Sequence, residues 1–247
     1  MDEFYKQLFT ENSYWSTRFP NIDEASRWAK ICKYLSLIAC QNLESSKRHL
    51  RILDVGCGRG WLTNLANTYG TCDGIDPVTH SIDLANKYFP DLSFTVGEVP
   101  ILLDSPKFEP YDVVIVTEVI EHVIDKETFL HDLTNCLTPD GYLILTTPRG
   151  ELYHKWLRMG PKKQPVEEWV SERYLRLLLM KYHFRPMEHD RIYVDLPRMS
   201  KLSRLCASSK ASSLFAELSL MPILKGLQFS SSIYQIWLCK LDLSTNK

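Results

Sequence analysis

Apolar positions along this chain follow two rhythms that alternate. Between Asn21 and Leu43, the residues Ala25, Trp28, Ala29, Ile31, Cys32, Leu35, Ile38 and Ala39 recur at helical spacing, with Asn21 where a cap belongs. At Leu50 the rhythm changes to a short run, L-R-I-L-D-V, which reads as a buried strand closing on an acid. The pattern then predicts a helix over 61–69, a strand over 71–76, a helix over 79–88 and a strand over 92–96. Residues 111–117, Y-D-V-V-I-V-T, are nearly all apolar, as suits the centre of a parallel sheet. A helix over 128–137, a turn at Asp140-Gly141 and a strand over 142–147 follow. Residues 166–182 place Trp169, Val170, Tyr174, Leu175, Leu178 and Leu179 on one side of a helix, and 184–196 and 231–243 read as a sixth and a seventh strand. Strands alternating with helices imply an α/β fold with a doubly wound seven-stranded sheet and its ligand at the carboxyl ends of the strands.

Two stretches stand outside that rhythm. Residues 1–20 hold Phe4, Tyr5, Phe9, Tyr14, Trp15 and Phe19, more aromatic surface than so short a piece can bury within itself. With the following helix they form an N-terminal helical segment over 1–45, either docked on the core or serving as a lid over the ligand pocket. Residues 197–229 carry many apolar side chains, Met199, Leu202, Leu205, Phe215 and Met221 among them, within a connection too long for a simple turn. This insertion is either a helical cap on the acceptor pocket or a packing or homodimer element. The rest, 46–196 and 230–243, forms one core domain.

Composition narrows the classes. Lys plus Arg at 29 nearly cancel Asp plus Glu at 30, so no global field draws the chain to nucleic acid or an anionic membrane. No apolar run approaches the ~20 residues that span a bilayer, and the first residues lack a signal-peptide profile. Seven cysteines without paired spacing read as reduced thiols of a cytoplasmic protein.

The chemistry begins where the first strand opens into G-C-G-R-G. Gly56, Gly58 and Gly60 allow positive φ and close approach of a ligand to the backbone, with Cys57 between them, and a helix starting at this turn points N–H groups at that ligand. Asp76, followed by Pro77, ends the next strand, where a nucleoside-binding fold places a carboxylate for ribose hydroxyls. With Asp54 two residues before the first glycine, these residues resemble the first motif of class I S-adenosylmethionine-dependent methyltransferases. That resemblance implies S-adenosyl-L-methionine as cofactor: Asp54 and the turn by its methionyl part, Asp76 on the ribose, and Glu98 with the Val99 N–H at adenine.

The second informative stretch is Glu118-Val-Ile-Glu121-His122. If it is helical, Glu118, Glu121 and His122 fall at i, i+3 and i+4 on one face, as a metal site or an acid–base pair with an orienting group. This E-x-x-E-H motif resembles that of ubiquinone-pathway O-methyltransferases and small-RNA 2′-O-methyltransferases, in which it binds a divalent ion. His154 is the remaining candidate ligand. Without a metal, His122 or His154 serves as general base beside Glu121, and Glu118 can instead meet the cofactor's amino group. His80, His131, His183 and His189 read as structural. The function expected is methyl transfer to an oxygen of a small-molecule acceptor in secondary or cofactor metabolism; a small-molecule N-methyltransferase, an RNA 2′-O-methyltransferase and a non-catalytic cofactor-binding protein are the other readings.

Overall fold

The computed structural model describes residues 19–45, 48–152, 166–192 and 232–245, with a few isolated positions besides. Helix α1 (Ile22–Ser45) leads into β1 (Leu50–Val55), α2 (Trp61–Ala66), β2 (Gly70–Asp76), α3 (Thr79–Tyr88), β3 (Ser93–Val96), α4 (Val99–Leu103) and β4 (Tyr111–Thr117). A 3₁₀ turn at Ile120–His122 precedes α5 (Lys126–Cys136), β5 (Leu137–Pro148), a second 3₁₀ turn at Gly150–Leu152, α6 (Glu172–Lys181), β6 (Phe184–Ile192) and β7 (Tyr234–Leu241). The strands form one seven-stranded sheet in the order β3-β2-β1-β4-β5-β7-β6. β7 lies antiparallel between β5 and β6, and the other neighbouring pairs are parallel.

The unbroken apolar runs follow from burial on both faces. Along β1 and β4, Leu53, Val55, Val114 and Val116 pack into a core shared with Leu130, Leu133, Leu175 and Leu179. Their alternates, Ile52, Val113 and Ile115, pack into a second core with Ile31, Tyr34, Leu35 and Ile38 of α1. Period-two side chains on a sheet covered on both sides need no polar positions. The expected doubly wound sheet is therefore present, and its central crossover from β1 to β4 puts the ends of β1, β2 and β4 at one edge.

Several local expectations need correction. The helix at 61–69 stops at Ala66, where Asn67 donates back to Thr63 and then spends its side chain on the N–H of Cys72. The helix at 166–182 begins only at Glu172, capped by Ser171. Residues 166–170 keep an apolar rhythm, yet their backbone is committed elsewhere: Val166 to His122, Glu168 to Glu121 and Val170 to Gly150. The stretch 118–123 is no α-helix, since Glu118 sits at φ 55 and only Ile120–His122 turns, as 3₁₀. The short α4 was not anticipated, its apolar run being interrupted by Pro100 at the one place a helix tolerates proline. The segments 1–18 and 197–229, expected as lid and cap, lie outside the described residues apart from those isolated positions.

Candidate active site

At the carboxyl end of β1, the N–H groups of Gly56 and Cys57 both donate to the carbonyl of Ile75, at 2.8 and 3.1 Å, folding the glycine turn against β2. Gly58 has φ 53, and a Cβ placed there would meet nothing within 4 Å, so this face of the turn is open. Gly60 has φ 78, and a Cβ there would lie 2.7 Å from Phe94, so this glycine serves packing. Asp76 is nearly buried, and its carboxylate accepts from Gly58 N at 2.9 Å and Val78 N at 2.8 Å. Pro77 follows it, and Gly97 N donates to the Asp76 carbonyl at 3.0 Å, which brings the Glu98 and Val99 corner to the same edge.

Asp54 lies wholly buried beneath the turn. Its Oδ2 accepts from Thr63 Oγ1 at 2.7 Å, while Oδ1 has no hydrogen-bond partner among the described residues. Burial pushes this carboxyl up to about 7, and the Thr63 bond offsets only part of that. A buried acceptor left unmet is costly.

The next strand end carries the E-x-x-E-H residues. Glu118 Oε1 accepts from Thr146 Oγ1 at 2.9 Å and Glu121 Oε2 from Thr147 Oγ1 at 2.9 Å, so consecutive β5 threonines each hold one carboxyl. Burial raises both carboxyls above their ordinary range, with Arg27 opposing it. His122 Nδ1 lies 2.6 Å from the Val166 carbonyl, and its Nε2 lies 3.8 Å from Glu121 Oε1. Among the described residues, no three His, Cys, Asp or Glu side chains are gathered to hold a metal ion. Of the four ligands expected from the motif, Glu121 and His122 stand on a 3₁₀ turn that Glu118 precedes, and not on an α-helix, and His154 lies outside the described residues. His189 stacks on Trp237 with centroids 4.0 Å apart, in keeping with its structural reading.

Residues that motif reading missed complete the site. Arg27 of α1 is 4% exposed, pairs with Asp23 at 3.0 Å and lies over the Tyr234 ring at 4.7 Å. Its Nη1 is the atom facing Asp23 Oδ1, its Nε hydrogen-bonds to no described residue, and its charge acts on Glu118 and Glu121. Tyr234, first in β7, donates its hydroxyl to Asp23 at 3.0 Å. No local pattern marks Arg27; it reads as one more polar position on an amphipathic helix.

These features fit a ligand with an amino-acid end and a ribose. Arg27 offers a buried guanidinium whose Nε meets no described residue, Asp54 an acceptor unmet among the described residues, Asp76 a carboxylate at the strand end, and Gly58 an open backbone face. The sequence profile of the methyltransferase domain matches residues 14–190, and the chain belongs to that family. Among curated relatives, the mitochondrial ubiquinone biosynthesis O-methyltransferase of Bos taurus is 39% identical over 105 residues, which is 40% of this chain and 28% of that protein. The corresponding enzyme of Actinobacillus pleuropneumoniae serotype 7 (strain AP76) is 28% identical over 165 residues, covering 56% of this chain and 70% of that one. The chain spans well under two thirds of the length of relatives such as the bovine protein, or the Caulobacter one at 40%. The N-methyltransferase NodS of Bradyrhizobium japonicum WM9, solved with S-adenosyl-l-homocysteine, superposes with a TM-score of 0.62 at 14% identity over 97% of both chains. The [4+2]-cyclase SpnF superposes at 0.55 and 14% identity, over 92% of this chain and 86% of that one. The fold alone therefore does not name a reaction. Among the described residues no helix is long and apolar enough to cross a membrane.

Proposed function

We propose that this chain moves a methyl group from S-adenosyl-L-methionine to an oxygen of a small-molecule acceptor, with His122 as the general base. The observation that carries the reading is the 2.6 Å contact between His122 Nδ1 and the Val166 carbonyl. A carbonyl only accepts, so Nδ1 holds the proton and, on the neutral ring, Nε2 holds the lone pair. Bound cofactor supplies a methyl group already activated by its positive sulfur. Arg27 would hold the cofactor's carboxylate, Asp54 would face the methionyl end, Asp76 would take the ribose hydroxyls, and Glu98 with Val99 would meet adenine.

His122 Nε2 takes the proton of the acceptor hydroxyl as that oxygen forms its bond to the methyl carbon. The carbon–sulfur bond breaks with its electron pair returning to sulfur, so the products are a methyl ether, a neutral thioether and an imidazolium. Glu121 Oε1 lies 3.8 Å from Nε2, beside the position the proton takes. The protein's contribution is chiefly alignment and exclusion of water. Oxygen as the acceptor atom agrees with the printed names of the curated relatives. Labelled cofactor incubated with a panel of phenols, catechols and amines tests the reading: transfer to a hydroxyl acceptor that His122→Ala abolishes supports it, and undiminished transfer by that variant overturns it.

A further inference from the structure

We propose that Lys126 is a positioning residue for His122, acting through the backbone at 166–168. The proposal rests on the reading of His122 as base. Lys126 is the first residue of α5, and its side chain is only 5% exposed. That is a poor place for an ammonium group in two respects. Burial strips its hydration, and the helix N-terminus sets it against the positive end of the macrodipole. Helix α5 does not need it for capping, since Asp125 already accepts from Thr128 N at 3.0 Å.

What the ammonium does is join two chain segments. Its Nζ donates to the Val123 carbonyl at 2.9 Å and to Glu168 Oε2 at 2.7 Å. Glu168 in turn donates its N–H to the Glu121 carbonyl at 2.8 Å. Two residues earlier, Val166 presents the carbonyl that takes the His122 Nδ1 proton. Three ties therefore run between 121–126 and 166–168, and the one at Lys126 closes the ladder beside the imidazole. The Glu168 side chain is 75% exposed, so its ion pair with Lys126 contributes little to global stability. Its effect is geometric: it fixes where the Val166 carbonyl stands, and so which ring nitrogen of His122 carries the proton.

The test reads the tautomer directly, without an acceptor. Protein with ¹⁵N-labelled histidine, saturated with S-adenosylhomocysteine, is studied by NMR at a pH where its imidazoles are neutral, the His122 signals being assigned by their loss in His122→Ala. Wild-type protein is expected to show the Nδ1–H form of His122. Lys126→Met should convert it to a mixture with the Nε2–H form, and Lys126→Arg should restore the single form, with S-adenosylhomocysteine affinity held within about twofold throughout. Should Lys126→Met fail to fold, Glu168→Ala, at an exposed side chain, must still shift the tautomer in the same direction. An unshifted tautomer in every folded variant overturns the proposal. Retained methyl transfer by His122→Ala would instead overturn the base assignment and leave the tautomer result standing.

Discussion

Arg59, inside the glycine turn, donates its Nη2 to Glu24 Oε1 in the first turn of α1 at 3.0 Å, with both side chains largely buried. The turn that would cradle the cofactor is thus clamped to the helix that carries Asp23 and Arg27. We expect Glu24→Ala to lower S-adenosylhomocysteine affinity by roughly tenfold, about 1.4 kcal/mol, although Glu24 itself is assigned no contact with it. Calorimetry checks this, and unchanged affinity would show that the clamp matters only to packing.

Gly58 and Gly60 should fail in different ways. Gly58→Val projects into open space at φ 53, so most of its effect falls on S-adenosylhomocysteine affinity, expected to drop at least about tenfold beyond a backbone strain of ~1 kcal/mol. Gly60→Val meets the Phe94 ring, and its effect should appear as a lowered melting temperature in the ligand-free protein. The reverse pattern would put the cradle elsewhere.

Asp54 makes the ligand-free protein pH-sensitive. Its carboxyl stands near 7 when folded, against an ordinary 3.8, so the folded state holds this proton more tightly than the unfolded state does. The stabilising contribution is complete below about pH 4 and is lost as pH rises through 7. Glu118 and Glu121, also raised by burial, act in the same direction. In thermal melts, Asp54→Asn should gain on wild type between pH 5 and pH 8 on the order of the lost linkage. A constant difference across that window would mean that Asp54 titrates normally.

Methyl transfer should persist in excess chelator, within about twofold of the untreated rate, while His122→Ala should lower it by about 10²- to 10⁴-fold. Collapse with chelator and rescue by Mg²⁺ or Mn²⁺ would restore the metal reading of Glu118, Glu121 and His122.

The features legible in the sequence were those fixed by short-range rules. Gly56 to Gly60 and Asp76 are set by a turn and two strand ends, and the buried runs of β1 and β4 announce themselves by composition alone. What escaped notice depends on distant pairings. Arg27 acquires its place only because α1 packs on the sheet and Tyr234 arrives from β7. The threonines that hold Glu118 and Glu121 belong to β5, and the carbonyl that orients His122 belongs to residues whose apolar rhythm mimics a helix. Periodicity reports which side of a segment is buried, and it cannot report that a backbone group has been claimed by another element.

The antiparallel β7 also sets an order of events during synthesis. β1 to β5 leave the ribosome before Tyr234–Leu241, yet the exposed edge of β5 waits for that strand along the whole stretch from Tyr142 to Pro148. Until it arrives the nascent chain carries an unpaired apolar edge, the kind of surface that chaperones cover and that seeds aggregation. Because the same strand brings Tyr234 to Asp23 and Arg27, the surroundings of the Arg27 guanidinium are completed only when β7 joins the sheet.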